Sequence, residues 1–313
     1  MKPDIVVTAH ISAPGTMPTL EREFTAHHLW RATDEKSFLA ALADRVEGMA
    51  VGGHRPIDAA LMDALPKLKV IANFGVGVDS IDLAAAQARG IAVTNTPDVL
   101  TDEVADLAIA LVLDAARGMS AGDRFIRAGK WTKGGMALQR GIRGKTLGIL
   151  GLGRIGSAIA AHGEHFGMRV LWTGPRPKPA ARWTYVADLV ELAREADVLV
   201  VACPGGAATR RLVTAEVLAA LGPEGMLVNI GRGSVVDEPA LVDALKGGIL
   251  GRAALDVFED EPKVPEALLA MENVVLTPHI GSATIETRAA MGQLMIDNLL
   301  AYYAGKPLLT RVV

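Results

Sequence analysis

The sequence predicts an α/β protein that consists of two doubly wound parallel-sheet domains. Short β-branched or apolar runs alternate with helical patterns along the chain, which is the rhythm of βαβ units. A glycine-rich turn, GLGRIG at residues 151–156, directly follows one apolar run and precedes a helical pattern. The chain has 313 residues, whereas single cores stop growing at about 250 to 300 residues. We therefore expect two domains, each with its own sheet.

The first hundred residues are predicted to alternate between strands and helices. The third predicted strand ends in NFGVGVD, residues 73–79, whose glycines leave several backbone amides unhindered at a strand's C-terminal edge. Ligands of open α/β sheets bind at such edges. A structural turn into the next helix explains the spacing equally well. The predicted strands are 5–10, 48–53, 69–75 and 91–97, and the predicted helices are 20–28, 35–45, 58–68 and 80–90.

A long helix is predicted from Thr101 to Ala128, because Thr101 can cap it and apolar residues follow at helical spacing. A helix of that length can bridge two domains. Residues 129–145 contain glycines and basic residues without a clear period, so we expect a loop there. Its apolar residues Trp131 and Met136 either contact a second subunit or cover the sheet.

The apolar run before residue 151 and the turn after it predict a dinucleotide-binding unit. Gly151 makes the tight turn, Gly153 lets the backbone approach a pyrophosphate, and Gly156 allows the next helix to pack on the sheet. The phosphates would lie on the N-terminal amides of that helix. A lone GxGxxG motif is also compatible with an ordinary glycine turn. Other residues of the chain are therefore needed to choose between the two interpretations.

The remaining sequence continues the alternation and bears on the choice of cofactor. In NAD-binding units an acidic residue about 20 residues beyond the glycines binds the adenosine ribose. Gly174 stands at that position, and Arg176 and Lys178 supply positive charge where a 2′-phosphate would lie. This favours NADP(H), with NAD(H) possible; a solvated basic loop is the plainer explanation. The predicted strands are 168–174, 197–203, 226–231, 252–258 and 274–278, and the predicted helices are 155–162, 188–194, 214–221, 238–248 and 284–303.

Composition and missing motifs argue against several classes of function. The net charge of −3 leaves no basic surplus for binding nucleic acid. No apolar stretch reaches about 18 residues and no signal peptide is apparent, so we expect a cytoplasmic protein without a membrane partner. Cys203 is the only cysteine, and its apolar setting favours an inert thiol. No metal-binding motif and no GxSxG elbow occur, which disfavours a metal site and an α/β-hydrolase.

Three residues at the ends of successive late strands are candidates for catalysis: Arg232, Glu261 and His279. Reduction of a 2-oxo acid by a nicotinamide requires a cation that holds the carboxylate and polarises the carbonyl, and an acid that protonates the developing alkoxide. Arginine suits the first task, and histidine, oriented by a carboxylate, suits the second. Each residue alone has a plainer structural explanation, and only their combination indicates this chemistry.

The sequence resembles the D-isomer-specific 2-hydroxyacid dehydrogenase family over nearly its whole length. The resemblance implies that Arg232 is the catalytic arginine, that His279 is the general acid or base, and that Glu261, rather than Glu259, is the partner of the histidine. The segments that carry it are NFGVGVDSID, GIAVTNTPDVLTDEVADLAIALVL, GKTLGILGLGRIG, ACPGGAATRRLV, LVNIGRGSVVDEPALVDAL, AALDVFEDEP and TPHIGSAT.

The resemblance also implies the domain plan and further site residues. A Rossmann-type dinucleotide-binding domain, residues 98–284, would be inserted into a flavodoxin-like substrate domain, residues 1–97 plus 285–313. The helix from Thr101 would form much of a homodimer interface, so that Met136 reaches the neighbouring active site. Substrate contacts are implied at Val76, Gly77, His54, Met136, Arg232 and His279. Cofactor contacts are implied at Gly151, Gly153, Arg154, Ile155, Gly156, Gly174, Arg176, Pro204, Thr209, Ile230, Arg232, Asp256, His279 and Gly281, with Asp256 at the nicotinamide carboxamide.

The lack of an acid at Gly174 makes the sequence similar to glyoxylate and hydroxypyruvate reductases that prefer NADPH. We therefore expect a cytoplasmic homodimer that reduces glyoxylate, hydroxypyruvate or a similar short 2-oxo acid to the D-2-hydroxy acid. Two alternatives remain open. One is an NADH-linked dehydrogenase for a larger 2-oxo acid, and the other is a non-catalytic nucleotide-sensing protein on the same fold.

Overall fold

The computed structural model describes residues 2–53 and 55–313, which form two compact units. The terminal unit contains the described residues up to Leu100 together with Ser282–Val313, and the central unit is Thr101–Gly281. Each unit is built on a parallel sheet with helices, as the sequence predicts. The assignment of substrate binding to residues 1–97 plus 285–313 and of cofactor binding to 98–284 stays a prediction.

A parallel sheet of five strands forms the centre of the terminal unit. The strand order β2-β1-β3-β4-β5 is that of flavodoxin-like sheets. Every residue of β3 and β4 is buried, because helices cover both faces of a parallel sheet. The strands are β1 (Asp4–Val7), β2 (Thr25–His28), β3 (Gly48–Val51), β4 (Val70–Asn73) and β5 (Ala92–Thr94).

Aspartate side chains begin three of the helices in the terminal unit. Asp34, Asp58 and Asp82 each accept a hydrogen bond from a backbone N–H in the first turn of the helix that follows. The C-terminal helix returns to this unit, where its buried face packs against the core formed by β1 and β4. The helices are α1 (Thr16–Glu23), α2 (Glu35–Ala40), α3 (Ala59–Asp63), α4 (Leu83–Ala88) and, at the end of the chain, α12 (Ile285–Tyr303).

The helix predicted over residues 20–28 is wrong in its second half. Helix α1 ends at Glu23, Phe24 is extended with φ −126° and ψ 161°, and Thr25–His28 form the edge strand β2. The four residues of β2 pair in parallel with β1 along its whole length. Pairing with a distant strand outweighs the weak local preference of TAHH for a helix.

A parallel sheet of seven strands forms the centre of the central unit. The order β12-β11-β10-β9-β6-β7-β8 places the first strand of the unit, β6, beside both β7 and β9, as in the Rossmann arrangement. The strands are β6 (Thr146–Leu150), β7 (Arg169–Thr173), β8 (Thr184–Tyr185), β9 (Val198–Val201), β10 (Met226–Asn229), β11 (Arg252–Leu255) and β12 (Val274–Leu276). The helices are α5 (Thr101–Arg117), α6 (Met119–Arg127), α7 (Arg154–His165), α8 (Leu189–Glu195), α9 (Ala215–Leu221), α10 (Glu238–Lys246) and α11 (Glu266–Leu269).

The single helix predicted from Thr101 to Ala128 is two helices, α5 and α6. The chain breaks at Gly118, whose φ of 64° and ψ of 42° are left-handed. Arg252 holds the end of α5, because its Nη1 donates to the carbonyl of Ala115 at 2.6 Å and to Gln139 Oε1 at 2.8 Å. The side chain of Gln139 therefore lies beside Gly118, at the break between the two helices. The predicted loop 129–145 also contains one short 3₁₀ turn, Lys130–Lys133.

The turn between β6 and α7 depends on close backbone approach. A Cβ atom at Gly156 would overlap the carbonyl oxygen of Gly151, and one at Gly163 would overlap the side chain of Leu147. Gly151 itself has φ 99°, which favours glycine. The glycines therefore bring α7 directly onto the sheet and hold its N-terminus at the end of β6.

Replacing Gly156 by alanine is expected to destabilise the central unit, because the new methyl group would overlap the carbonyl of Gly151. Overpacking costs about 1–3 kcal/mol, so the midpoint of urea unfolding, followed by circular dichroism, should fall clearly below that of the wild type. Gly153→Ala is the matched control, since a Cβ there would meet no atom of the described residues within 4 Å. Equal losses in the two variants would contradict this explanation of the turn.

Candidate active site

The carboxyl edge of the central sheet carries the charged residues that the sequence singles out. The glycine turn follows β6, Arg232 follows β10, Asp256 and Glu261 follow β11, and His279 follows β12. Because the strands are parallel, their C-terminal ends lie at one edge, where open α/β sheets bind ligands. The fold of the central unit thus brings these residues to the same edge.

His279 and Glu261 form a hydrogen-bonded pair. The distance from His279 Nδ1 to Glu261 Oε2 is 2.8 Å, and the two side chains are 32% and 18% exposed. The other carboxylate oxygen of Glu261 accepts the backbone N–H of Phe258 at 3.1 Å. One oxygen therefore fixes the turn that carries the glutamate, and the second fixes the histidine ring.

Asp256 holds the turn on which His279 lies. Its carboxylate accepts hydrogen bonds from Thr277 Oγ1 at 2.7 Å, from the N–H of Ile280 at 2.8 Å and from the N–H of Gly281 at 2.9 Å. The backbone of His279 has φ 52°, in the left-handed region, so this turn needs such support. Burial raises the pKa of Asp256, against the opposing effect of these hydrogen bonds. The predicted contact of Asp256 with the nicotinamide carboxamide stays a prediction.

Arg232 lies on a turn that packs directly on the Glu261 segment. A Cβ atom at Gly233 would overlap the backbone of Phe258, so only glycine permits the two turns to meet. Asn229 fixes the arginine turn, since its Nδ2 donates to the carbonyl of Arg232 at 3.0 Å. The contact at Gly233 therefore fixes the turn of Arg232 against the segment that carries Glu261.

Glu259, the neighbouring acid, differs from Glu261 in its hydrogen-bond partners. Its carboxylate binds Arg210 Nη2 at 3.0 Å and Arg211 Nη2 at 3.4 Å. Its backbone N–H donates to Glu238 Oε1 at 3.1 Å, and burial raises the pKa of Glu238. The sequence analysis missed these supporting residues, although the adjacent arginines of ATRRLV and the acid run EDE were visible signals.

The predicted phosphate-binding turn fits a dinucleotide. Helix α7 begins at Arg154, directly after Gly153, which has no side chain to cap the helix. A Cβ at Gly153 would meet no atom of the described residues within 4 Å, so the backbone is open to a ligand there. The first-turn amides of a helix carry partial positive charge and suit a phosphate. Ile155 and Gly156 belong to the same turn of helix.

The predicted adenosine-side residues lie after β7 and β9. Gly174 follows the last residue of β7, and its carbonyl accepts the Tyr185 hydroxyl at 3.0 Å. Lys178 Nζ donates to the carbonyl of Leu152 in the glycine turn, whereas Arg176 is exposed. Further along the edge, Ile230 follows β10, and Thr209 Oγ1 donates to the carbonyl of Pro204 at 2.7 Å.

The remaining predicted substrate residues are distributed over both units. Val76 and Gly77 lie in the loop after β4 of the terminal unit. Met136 lies in the central unit, partly exposed, with its Cε 3.1 Å from where a Cβ at Gly118 would stand. His54 lies outside the described residues.

Three further features of the described residues concern the Cys203 thiol, metal-ligating side chains and membrane-spanning helices. Burial raises the pKa of Cys203 to about 11, so its thiol is protonated at neutral pH. Within residues 2–53 and 55–313, no three His, Cys, Asp or Glu side chains are grouped so that they could hold a metal ion. Nor does that part of the chain contain a helix with the length and apolar character needed to cross a bilayer.

Comparisons with known proteins show the family to which this chain belongs. Residues 109–281 match the family model for D-isomer specific 2-hydroxyacid dehydrogenase, NAD binding domain. A hydroxyphenylpyruvate reductase from Plectranthus scutellarioides is 48% identical over 294 residues, covering 94% of this chain and 94% of that protein. A glyoxylate/hydroxypyruvate reductase A from Arabidopsis thaliana is 46% identical over 294 residues, again covering 94% of each.

A solved structure is similar over the whole chain. The NADPH-dependent glyoxylate/hydroxypyruvate reductase from Sinorhizobium meliloti, in complex with NADP and malonate, has a TM-score of 0.93 and 45% sequence identity to this chain. The match covers 100% of this chain and 97% of that one. Both parallel sheets therefore have counterparts in a protein that binds a nicotinamide dinucleotide.

Proposed function

Because this chain belongs to the D-isomer-specific 2-hydroxyacid dehydrogenase family, whose members are oxidoreductases, we propose that it reduces a short 2-oxo acid with NADPH. Glyoxylate and hydroxypyruvate are the proposed substrates, and the D-2-hydroxy acid is the product. The observation that carries the proposal is the His279–Glu261 pair, held at the carboxyl edge that also carries Arg232 and the glycine turn.

The proposed mechanism assigns one task to each side chain. NADPH, held at the glycine turn and the N-terminus of α7, would supply the hydride that reduces the carbonyl carbon. His279 Nε2 gives a proton to the carbonyl oxygen, so that hydride and proton together convert C=O into CH–OH. The Glu261 carboxylate orients the ring through Nδ1, which leaves Nε2 for the proton transfer.

Arg232 completes the proposed chemistry on the substrate. Its guanidinium binds the substrate carboxylate through a forked pair of hydrogen bonds and polarises the carbonyl. The backbone amides of Val76 and Gly77 are proposed to bind the same carboxylate. Positive charge and amide donors suit a small anion, and the similar reductase from Sinorhizobium meliloti was solved with malonate.

The proposed preference for NADPH depends on one exposed cation. Gly174 leaves no carboxylate at the end of β7 to repel a 2′-phosphate or to bind a free ribose hydroxyl. Lys178 is bonded to the carbonyl of Leu152, so we assign the 2′-phosphate to Arg176. The NADPH dependence stated for the relative from Sinorhizobium meliloti supports the same choice.

A second candidate substrate is a larger, aromatic 2-oxo acid. The 48% identity to a hydroxyphenylpyruvate reductase favours it, since that relative is as similar as the glyoxylate and hydroxypyruvate reductases. The chemistry of Arg232 and His279 would be the same for both substrates, and only the space beside the carbonyl would differ. Comparison of kcat/KM for glyoxylate, hydroxypyruvate and hydroxyphenylpyruvate decides between the candidates.

We also propose a cytoplasmic homodimer that forms through α6 and the loop after it. Among its described residues α6 has none that is buried, although it presents Met119 and Ile126 to solvent. Trp131 and Leu138 are also exposed, at 67% and 98%. Exposed apolar residues concentrated in one segment are typical of a subunit interface. The proposal includes a contact of Met136 with the active site of the neighbouring subunit.

His279→Ala is expected to lower kcat by about 10²- to 10⁴-fold, the usual contribution of a general acid. The dissociation constant for NADPH, measured by fluorescence quenching, should change far less than kcat, because His279 is one of many proposed cofactor contacts and the glycine turn is unchanged. His165→Ala, which removes an exposed histidine from the end of α7, is the matched control and should retain full kcat. A His279→Ala enzyme with wild-type turnover would exclude the mechanism.

Glu259→Gln is expected to lower kcat about tenfold, because a neutral amide weakens the charge-assisted bonds of Arg210 and Arg211 to the turn that carries Glu261. Asp260→Asn changes the next acid of the same turn, which pairs only with exposed Lys263 among the described residues, and should stay near wild type. Steady-state rates and thermal unfolding are measured for both variants. If Asp260→Asn is as impaired as Glu259→Gln, the turn responds to net charge and not to these two arginines.

Arg176→Ala is expected to lower the ratio of kcat/KM for NADPH to that for NADH by roughly 10- to 100-fold. A charge-assisted hydrogen bond of about 1.5–3 kcal/mol would be lost only with NADPH. Arg182→Ala, in the same loop but paired with Glu164, is the control and should keep the ratio. A wild-type enzyme that uses NADH better than NADPH would overturn the assignment.

A further inference from the structure

We propose that Asn95 is a positioning residue for the substrate, because it holds the loop Gly75–Gly77 in the orientation that binds a carboxylate. The inference rests on the proposed function in one respect, namely that the amides of Val76 and Gly77 meet the substrate. Asn95 stands just after β5, next to the strand from which this loop emerges.

Side-chain amides hold all three carbonyl groups of the loop. Asn73 Nδ2 donates to the carbonyl of Gly75 at 3.0 Å and to that of Gly77 at 2.8 Å. Asn95 Nδ2 donates to the carbonyl of Val76 at 2.8 Å. The loop is thus fixed by donors that carry no net charge, although it contains no regular secondary structure of its own.

Fixing these carbonyls also fixes the direction of the N–H groups. In a planar trans peptide the C=O and the following N–H point in opposite directions. The carbonyl of Val76 points to Asn95, so the N–H of Gly77 points away from Asn95. The carbonyl of Gly75 points to Asn73, so the N–H of Val76 points away from Asn73. Consecutive amides held in this way suit a small anion.

The backbone of Asn95 is held by a hydrogen-bond network from the end of the chain. Thr310 Oγ1 donates to the carbonyl of Asn95 at 2.6 Å and accepts from Asn298 Nδ2 at 2.9 Å. Asn298, on α12, is fully buried, and its Oδ1 accepts the N–H groups of Leu309 and Thr310 at 3.0 and 3.2 Å. Hydrogen bonds therefore lead from α12 through Thr310 and Asn95 to Val76.

The chemistry of this network explains why residue 95 is an amide. An aspartate of the same shape would place a carboxylate oxygen against the carbonyl of Val76, where two acceptors repel each other. An alanine would leave that carbonyl without its side-chain donor and free the peptide to turn. Either change should weaken binding of the substrate carboxylate, and neither touches the hydride or proton transfer.

Asn95→Ala is the direct test. We expect KM for glyoxylate to rise at least tenfold, kcat to change less than threefold, and the dissociation constant for NADPH to stay within twofold. Asn273→Ala is the matched control, because Asn273 Nδ2 makes the same kind of bond to the carbonyl of Gly251 in the central unit. The control should leave KM unchanged. An unchanged KM in Asn95→Ala, with the wild-type enzyme active, would overturn the proposal.

A second variant and a binding assay cover the other outcomes. Thr310→Val breaks the bond that supports Asn95 without changing the loop, and KM should rise about threefold; this variant decides the question if Asn95→Ala does not fold.

If the wild type reduces no 2-oxo acid, the proposed function fails by itself. Calorimetry with malonate in the presence of NADP then tests the loop directly: a tenfold weaker affinity in Asn95→Ala supports the proposal, and equal affinity overturns it.

Discussion

The turn that carries Arg232 lies against the backbone of the turn that carries Glu261, and this contact requires a glycine at residue 233. Any larger side chain would separate a cation from the carboxylate that orients His279. The ring of His279 is then fixed at 2.8 Å from Glu261, and Asp256 holds the left-handed turn beneath it. The charged groups of the site are thus positioned by one close backbone contact, at Gly233, and by hydrogen bonds to carboxylate side chains.

The candidate functional residues of the two units differ in charge. The central unit provides groups that carry or exchange charge, namely Arg232, Glu261 and His279. The terminal unit provides neutral amides, since Asn73 and Asn95 direct the backbone of the loop after β4. Under the proposed function, each unit therefore has its own task, which is proton transfer for the central unit and anion binding by backbone amides for the terminal unit.

Much of the fold and of the candidate site could be predicted because the relevant signals are local. Apolar runs marked most of the parallel strands, and the glycine turn, Arg232, Glu261 and His279 each lie in the segment that follows such a run. The structure differs from the prediction where contacts between distant parts of the sequence determine the local conformation. Strand β2 forms only by pairing with β1, and Arg252 holds the helix end at Ala115 across 137 residues of sequence. Thr310 lies 215 residues from Asn95, so no local pattern could have revealed their bond.

We propose that this site performs a reduction and does not merely sense a nucleotide. The most direct measurement follows the absorbance of NADPH when the purified wild-type protein is mixed with hydroxypyruvate, and then determines the configuration of the product. We expect that NADPH is consumed and that one molecule of D-glycerate forms for each molecule of NADPH oxidised. Tight binding of NADPH without consumption, with hydroxypyruvate, glyoxylate and hydroxyphenylpyruvate alike, would contradict it.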